Sequence, residues 1–521
     1  MSERLKQKST RSKWLKAMRK FHKWPGIILA VFVILFSLSG IILNHRNWFS
    51  AVDVSRNLLP PDFRLNNWNL ASIRGAVHVS PDDMVIYGNI GAWLTTEKMD
   101  RFIDLNEGFP KGIDNRKIDA MLLTNNGELL AGTLFGLYSY NGETWQPVNI
   151  PVSHKRITDL TEHDEKIHIL TRSQLLLTSN LKDFEIVNLP PSLHDDNKVS
   201  LFRTLWTLHS GELFGEVGKI AVDILGLGLI FLSVTGILHW IFPGWIKRRK
   251  KKEQGVEKVK KAFVQNLKLH NKVGYILAFF LVITAITGMF LRPPLLITIA
   301  PKKVNKIPYT ILDNPNPWHD KLRRIIWDEA HERYLVSTSD GFFFFDNTFS
   351  APAERVPMQP PVSVMGCTVL EPHPSVLGNY IVGSFTGLFK WDVQTGAIIN
   401  VMTNSFYSPS GRMGSPISEN LISGYIRTST DRYVVDYSRG LEHLSGSNTP
   451  PQMPKPIIEA TPMSLWNVAL DVHTGRIFQH LLGSLYILYI PLAGITLLIV
   501  LISGFVIWWL AHKKKKKEQV S

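Results

Sequence analysis

The chain has 521 residues, too many for one ordinary domain, and its formal net charge is +15. The basic excess is confined to residues 1–23, 244–272 and 511–521, which together hold 25 Lys/Arg and 4 Asp/Glu, whereas the rest of the chain holds 33 and 39. Because each of these segments adjoins an apolar run, the charge indicates membrane topology and contact with anionic lipid, and argues against nucleic-acid binding. The single cysteine, Cys367, excludes an internal disulfide and a C-x-x-C-H site for covalent haem.

Four apolar runs are long enough to cross a bilayer, which takes about 20 residues. They are residues 25–43, 220–242, 273–291 and 484–510. The first run is long for a signal peptide and lacks a small-x-small cleavage site, so we interpret it as an anchor. Since positive flanks stay inside, both termini are predicted to be cytoplasmic and the two long intervening segments to be exported.

This topology divides the chain into nine parts. They are a basic tail (1–24), TM1 (25–45), exported β repeats (46–204), a helix start with TM2 (205–243), a basic loop (244–272), TM3 (273–292), further exported β repeats (293–466), a helix start with TM4 (467–510) and a lysine tail (511–521).

The spans form two copies of one pattern. FHKWPGIILAVFVILFSLSGIILNH aligns with LHNKVGYILAFFLVITAITGMFLRP at a constant shift of 248 residues, and HSG at 209–211 matches HTG at 473–475. All four spans end in Ser/Thr-Gly. An internal duplication of this kind predicts a four-helix bundle with a pseudo-twofold axis along the membrane normal.

The exported segments contain β repeats. LLAGTLFGLYSYNG (129–142) resembles YIVGSFTGLFKWD (380–392) and YLVSTSDGFFFFD (334–346), each reading as strand, turn and aromatic strand. A spacing of about 40–45 residues is typical of propeller blades. We expect one closed β-propeller of six to eight blades built from both halves, or alternatively two separate small β domains. The aromatics Trp93, Trp145, Phe385 and Trp391 are interpreted as blade core.

Two histidine pairs follow from the duplication. His22 and His270 precede the cytoplasmic ends of TM1 and TM3, and His209 and His473 precede TM2 and TM4. Taken one at a time, His22 and His270 are explained as interfacial histidines beside small helix-packing residues. His209 and His473 are explained as residues at ordinary helix starts with a Ser/Thr cap. Because the pattern occurs twice, we favour ligand roles, with mates meeting across the axis.

Three further histidines have no counterpart in the other half. His45, His239 and His480 read equally well as lone interfacial histidines and as cofactor ligands. Asp223 is interpreted as an interfacial carboxylate rather than a proton relay, although acids within spans deserve suspicion.

Histidine pairs at two depths suit two planar cofactors. Zinc requires a third or fourth close ligand, and no H-E-x-x-H or cysteine cluster is present. Bundle cores commonly hold haem through axial histidines. His22 and His45 lie 23 residues apart, about 35 Å of helix, so one cofactor cannot bridge both faces. We therefore expect two b-type haems, with His22, His270, His209 and His473 as iron ligands.

The spans carry two paired motifs: L/F-H-x-x-x-G followed by Ser/Thr-Gly, and H-S/T-G-x-x-F followed by Ser/Thr-Gly. This pattern resembles the PepSY-associated transmembrane helix family. That family includes iron-regulated inner-membrane proteins and ferric-siderophore reductases. The resemblance implies a four-pass inner-membrane protein of Gram-negative bacteria with a large periplasmic domain, whose span histidines bind haem and which passes electrons to a periplasmic ferric complex. A PepSY domain is not evident in the exported segments.

Three functions remain open at this stage. The first is electron transfer to a periplasmic acceptor such as ferric iron or a ferric chelate, an oxidoreductase activity like that of ferric reductases. Its electron donor would be a quinol or another protein, because no nicotinamide or flavin fingerprint is present. The second is a sensor or scaffold whose propeller binds a ligand or partner. The third is a transport path along the pseudo-twofold axis, which the scarcity of charge in the spans disfavours.

Overall fold

The computed structural model describes residues 2–193, 195–363, 366–407, 419–446 and 449–518. It divides into two compact units, one formed by residues 1–49, 197–313 and 465–521 and the other by residues 50–196 and 314–464. The first unit is helical and the second is made of β-sheets, so each unit draws on both halves of the chain.

The helical unit is built from four long helices and two short ones. In chain order they are α1 (Ser2–Asn44), α2 (Leu201–Ser210), α3 (Gly215–Lys251), α4 (Glu257–Phe290), α5 (Leu465–His473) and α6 (Tyr489–Glu518). Within the described residues four segments are long and apolar enough to cross a membrane: Lys13–Asn44, Glu212–Lys251, Glu257–Phe290 and Arg476–Leu510. These spans cover the four predicted apolar runs except for residue 291, and they extend beyond most of the other predicted ends.

The long helices form a bundle in which α1 contacts α3 and α6, and α4 contacts the same two helices. Hence α1 and α4 lie on one diagonal of the bundle and α3 and α6 on the other. The short helix α2 packs against α4, whereas α5 packs against α1. A two-stranded ladder, Lys198–Ser200 with Lys303–Asn305, pairs the segment before α2 with the segment after α4.

Short helices connect these elements. They are Arg46–Phe49, Glu212–Phe214, Leu295–Ile299, Arg476–Phe478, Gln479–Leu482 and Gly483–Leu488.

In the described part of the β unit there are six antiparallel sheets, each formed by strands that follow one another in the chain. Sheet 1 comprises Gly75–His78, Asp83–Gly88, Gly91–Thr96 and Phe102–Asp104; sheet 2, Ile118–Leu123, Leu129–Thr133, Leu137–Tyr140 and Trp145–Val148; sheet 3, Ile157–His163, Lys166–Thr171, Leu175–Thr178 and Glu185–Val187. Sheet 4 comprises Leu322–Asp328, Arg333–Thr338, Gly341–Phe345 and Glu354–Arg355; sheet 5, Val369–Pro372, Asn379–Ser384, Gly387–Asp392, Ile398–Asn400 and Ser405–Phe406; sheet 6, Ile422–Arg427, Arg432–Asp436 and Gly440–His443. A small ladder, Asp53–Val54 with Met463–Ser464, pairs the beginning and the end of this unit.

The first strand of each sheet contacts the first strand of the next sheet, and the first strand of sheet 6 contacts that of sheet 1. Asp119 of sheet 2 pairs with Arg74, which precedes sheet 1, at 3.3 Å and with Arg156, which precedes sheet 3, at 2.9 Å. Asp159 of sheet 3 pairs with Arg324 of sheet 4 at 2.9 Å. These ion pairs join neighbouring first strands through side chains.

Further bonds continue this series through the remaining sheets. Arg324 donates to the carbonyl oxygen of Thr368 before sheet 5 at 2.7 Å, and the Thr368 hydroxyl donates to the carbonyl of Ile422 in sheet 6 at 2.8 Å. The amide of Tyr425 then donates to the carbonyl of Arg74 at 3.1 Å. The connection passes through all six first strands and returns to its start.

Aromatic side chains fill the spaces between the sheets. Trp145 and Trp391 are fully buried and Trp93 is 9% exposed, as expected for core residues, while Phe385 is partly buried against Tyr437. Trp93 and Trp391, which lie in the second strand of the sequence repeat, pack between neighbouring sheets, where their large rings bury much apolar area.

Candidate functional site

The first histidine pair lies between the two helices on one diagonal of the bundle. His22 is carried by α1 and His270 by α4, and their ring centroids are 6.1 Å apart with the planes inclined at 78°. The mates that the repeat identifies are thus brought into an edge-to-face arrangement, although 248 residues separate them. We call them the His22 pair.

Each ring of the His22 pair is held by its Nδ1 atom. His22 Nδ1 lies 2.9 Å from the carbonyl oxygen of Val500 on α6, and His270 Nδ1 lies 2.8 Å from the hydroxyl of Thr235 on α3. The Thr235 hydroxyl donates to its own helix at the Phe231 carbonyl, 2.7 Å away, so it accepts from the imidazole. A hydrogen on Nδ1 leaves Nε2 as the nitrogen with a lone pair.

The second pair is built from the short helices. His209 lies in the last turn of α2 and His473 ends α5, and their ring centroids are also 6.1 Å apart, with the planes inclined at 59°. Both histidines were expected at helix starts. They lie at helix ends, because Gly211 and Gly475 adopt the left-handed conformation that terminates helices.

Both rings of this His209 pair are again held through Nδ1. His209 Nδ1 lies 3.0 Å from the carbonyl oxygen of Thr284 on α4, and His473 Nδ1 lies 3.1 Å from the carbonyl oxygen of Phe36 and 3.0 Å from the hydroxyl of Ser39 on α1. Burial lowers the pKa of His209 and lowers the pKa of His473 to about 4. Both rings are therefore neutral, which is the form that ligates metals.

The Ser/Thr-Gly dipeptides form the seats of the imidazoles. A Cβ added at Gly504 would lie 2.8 Å from His22 Cε1, and one at Gly288 would lie 2.7 Å from His209 Cε1. At Gly40 and Gly236 the corresponding distances, to His473 and His270, are 3.4 and 3.6 Å. Each dipeptide thus receives a histidine from another helix.

The glycines two residues after each histidine of the His209 pair lie against other parts of the helical unit. A Cβ at Gly211 would meet the carbonyl oxygen of Gly218, and one at Gly475 would meet the ring of Tyr489. Their small size is needed for the turn from the short helix into the span.

His45 is paired with an acid rather than with a second imidazole. Its Nε2 lies 2.5 Å from Oδ2 of Asp223 on α3, and its ring stacks on Trp48 at 3.9 Å. The amide of Asn44 donates both to Asp223, at 3.2 Å, and to the carbonyl of Ser210, at 3.1 Å. Asp223 therefore joins the end of α1 to α3, and Asn44 joins it to the segment that carries His209. No motif in the sequence indicates these partnerships.

Of the other two unmatched histidines, His239 lies within electrostatic range of both rings of the His22 pair. His239 stacks on Phe263 with ring centroids 4.8 Å apart, and its Nδ1 is buried without a hydrogen-bond partner among the described residues. His480 is exposed, and its Nδ1 contacts the carbonyl of Ile477 at 3.1 Å. We leave His45, His239 and His480 out of the ligand set proposed below.

The two pairs lie at different levels of the bundle. His473 is seated on Ser39 of α1, which is 17 residues beyond His22 on the same helix. At 1.5 Å per residue this places the levels about 25 Å apart. Within the described residues there is no group of three or more His, Cys, Asp or Glu able to hold a metal ion.

These features define a four-span membrane protein with two part-buried histidine pairs and a large β unit. Residues 2–242 and 244–511 match the family model of the PepSY-associated TM region, and the chain belongs to this family. No curated protein matches the chain.

Several solved structures resemble the chain weakly. One is the extracellular domain of a putative hybrid two component system from B. thetaiotaomicron, at TM-score 0.35 and 9% identity, covering 72% of this chain and 35% of that one. A protein of unknown function from Bacteroides thetaiotaomicron has TM-score 0.35 and 9% identity, with 75% and 74% covered. PorZ of the type-IX secretion system of Porphyromonas gingivalis has TM-score 0.31 and 12% identity, with 71% and 38% covered. The chain thus spans about a third of the first of these proteins, and likenesses this weak assign it no function.

Proposed function

We propose that the protein is an inner-membrane b-type haem protein that moves electrons across the membrane to a periplasmic acceptor. The observation that carries this proposal is the geometry of the two histidine pairs. Each pair presents two imidazoles 6.1 Å apart, with every Nδ1 engaged by a hydrogen-bond acceptor.

The spacing of the rings fits axial ligation of one iron by two imidazoles. Bonds from a metal to imidazole nitrogen are about 2 Å long, and each nitrogen lies about 1 Å from its ring centre, so ring centroids about 6 Å apart are expected. The hydrogen bonds at Nδ1 fix the tautomer and the orientation of each ring, as the partners of metal-bound histidines do. Bound haem would supply a one-electron Fe(III)/Fe(II) couple at each level.

Two ligands per site favour haem over a metal held by the protein alone. A structural zinc site requires four protein ligands and a catalytic one three, and no third ligand accompanies either pair among the described residues. A porphyrin brings four nitrogens of its own, so the protein has only to provide the two axial positions. The His22 pair and the His209 pair would then hold one haem each.

The direction across the membrane rests on charge. Residues 1–23, 244–272 and 511–521 hold the basic excess and mark the cytoplasmic side, where the His22 pair then lies. The His209 pair, at the other level of the bundle, accordingly lies toward the periplasm. Pairs about 25 Å apart along α1 would give an electron two stopping points.

We also propose that the β unit is a six-bladed propeller and that the chain arose by internal duplication. Six consecutive sheets whose first strands contact one another in a closed series support the first statement. The equivalent placement of His22 with His270 and of His209 with His473 supports the second. Such a propeller would face the periplasm and receive the acceptor, a ferric chelate in our proposal, while a quinol or another protein supplies electrons.

Haem content of the purified protein tests the proposal. After expression with sufficient haem, the wild type should show a Soret band and two haems per chain. His270→Ala and His473→Ala should each retain about one, and the matched control His480→Ala, at an exposed histidine, should retain both. A wild type without a Soret band would exclude electron transfer through these sites and favour a membrane-anchored sensor or scaffold.

A further inference from the structure

A cation without an ion-pair partner among the described residues lies beside the His209 pair. Arg292 follows α4 and is located one helical turn beyond Gly288, the glycine on which the His209 ring rests. It is partly buried, and its guanidinium is within electrostatic range of Asp471, Tyr486 and His473.

The positive charge of Arg292 is not neutralised by the described groups around it. Asp471, whose carboxylate is within electrostatic range of Arg292, is already bound by Arg476, whose Nε lies 2.8 Å from Oδ1 of Asp471. Arg292 forms no ion pair and no side-chain hydrogen bond with the described part of the chain, and burial lowers its pKa. Removing a guanidinium from water without pairing it is costly, so an anionic partner is expected at this position.

The other half of the bundle has no such cation. The residue equivalent to Arg292 at the 248-residue shift is Asn44, and its amide is engaged by Asp223 and by the carbonyl of Ser210. The rim of the His209 pair therefore differs between its two sides, with an acid and an amide on one and an unpaired arginine on the other.

We propose that Arg292 binds a propionate carboxylate of the porphyrin held by the His209 pair. This inference rests on the proposed function, because it supplies the anionic group that Arg292 lacks. An arginine matches a carboxylate with two parallel N–H donors, so the contact also sets which way round the porphyrin enters the site. Arg292 would thereby determine the orientation of the cofactor while the histidines hold its iron.

The test measures the contribution of the propionates to binding separately from that of the rest of the cofactor. In the full-length His270→Ala protein, where only the His209 pair keeps both imidazoles, apoprotein is titrated with iron protoporphyrin IX and with its dimethyl ester. The acid should bind at least about tenfold more tightly than the ester, since a charge-assisted hydrogen bond is lost in the ester. Arg292→Gln should reduce this preference to nearly one by weakening only the acid.

Two further variants complete the design. Arg292→Lys should keep part of the preference, because it preserves charge without the planar fork. Lys219→Gln removes the same charge from α3, where the ammonium is bound to Glu216 at 2.8 Å, and should leave the preference unchanged. If Arg292→Gln does not fold, the proposal is still tested by comparing the binding of the acid with that of the ester in the protein that retains Arg292.

The outcomes distinguish the two proposals. Equal binding of acid and ester, or an Arg292→Gln variant that weakens both equally, overturns the role of Arg292 while leaving haem binding intact. Failure of the wild type and of His270→Ala to bind any iron porphyrin overturns the proposed function and the present inference with it.

Discussion

Replacing Gly504 by alanine should remove one haem from the protein. The new Cβ would lie 2.8 Å from Cε1 of His22, and ordinary contacts begin at 3.4 Å, so the ring must move by about 0.6 Å. His22 is tied by Nδ1 to the Val500 carbonyl at 2.9 Å and cannot move freely. Metal–ligand distances tolerate only about 0.2 Å, so the axial bond should be lost.

A matched control exists at the same site. A Cβ at Gly236 would lie 3.6 Å from Cε1 of His270, which is an ordinary contact, so Gly236→Ala should retain both haems. The His209 pair repeats the contrast, because Gly288 is tight at 2.7 Å and Gly40 permissive at 3.4 Å. Alanine favours helix over glycine by about 1 kcal/mol, so helix loss cannot explain a decrease.

The measurement is the haem-to-protein ratio, together with the absorbance spectrum of the reduced protein. Gly504→Ala and Gly288→Ala should each fall from two haems to about one, with unchanged helical circular dichroism. If the tight and permissive variants lose haem equally, or if none loses any, the glycines do not seat ligating imidazoles and the reasoning fails.

Three other outcomes are expected. Asp223→Asn should weaken the bond to His45 and lower the melting temperature of the full-length protein, corresponding to about 1–3 kcal/mol, and an unchanged melt would show that this pair contributes nothing. Arg324→Ala should destabilise the β unit by about 3 kcal/mol because Asp159 is left buried without its partner. Arg333→Ala removes an exposed ion pair and should destabilise the β unit by less than about 1 kcal/mol. Limited proteolysis of the β unit compares the two variants, and equal cleavage would contradict the argument. Burial lowers the pKa of His168 to about 4, so the folded β unit binds this proton less readily than the unfolded chain does. The contribution of His168 to stability should therefore be complete above about pH 6.5, decrease as the pH falls toward 4, and level off below that. The total decrease should be at most about 3 kcal/mol. Chemical denaturation at pH 7 and pH 5 measures the fall, which should be smaller in His168→Gln; an equal fall in both would assign it to other groups.

Much of the helical unit follows from neighbours in the chain. Apolar runs and their basic flanks are local features, and they predict the four spans without reference to any distant residue. The constant shift of 248 residues also identifies His22 with His270 as mates, since two copies of one pattern tend to occupy equivalent places. The repeat of about 40–45 residues similarly predicts a series of antiparallel sheets.

Contacts between distant segments were decided only by the tertiary structure. The sequence shows that each span ends in Ser/Thr-Gly, but only the structure shows that each dipeptide contacts an imidazole from a different helix. His45 meets Asp223, and Arg292 has no ion-pair partner in the described part of the chain, because of how the helices are packed; neither relation has a periodic signature. The series of bonds through Arg324 and Thr368 likewise joins residues that are far apart in the chain. Periodicity reports which face of an element is apolar, whereas the partner of a polar group depends on the packing of whole elements against one another.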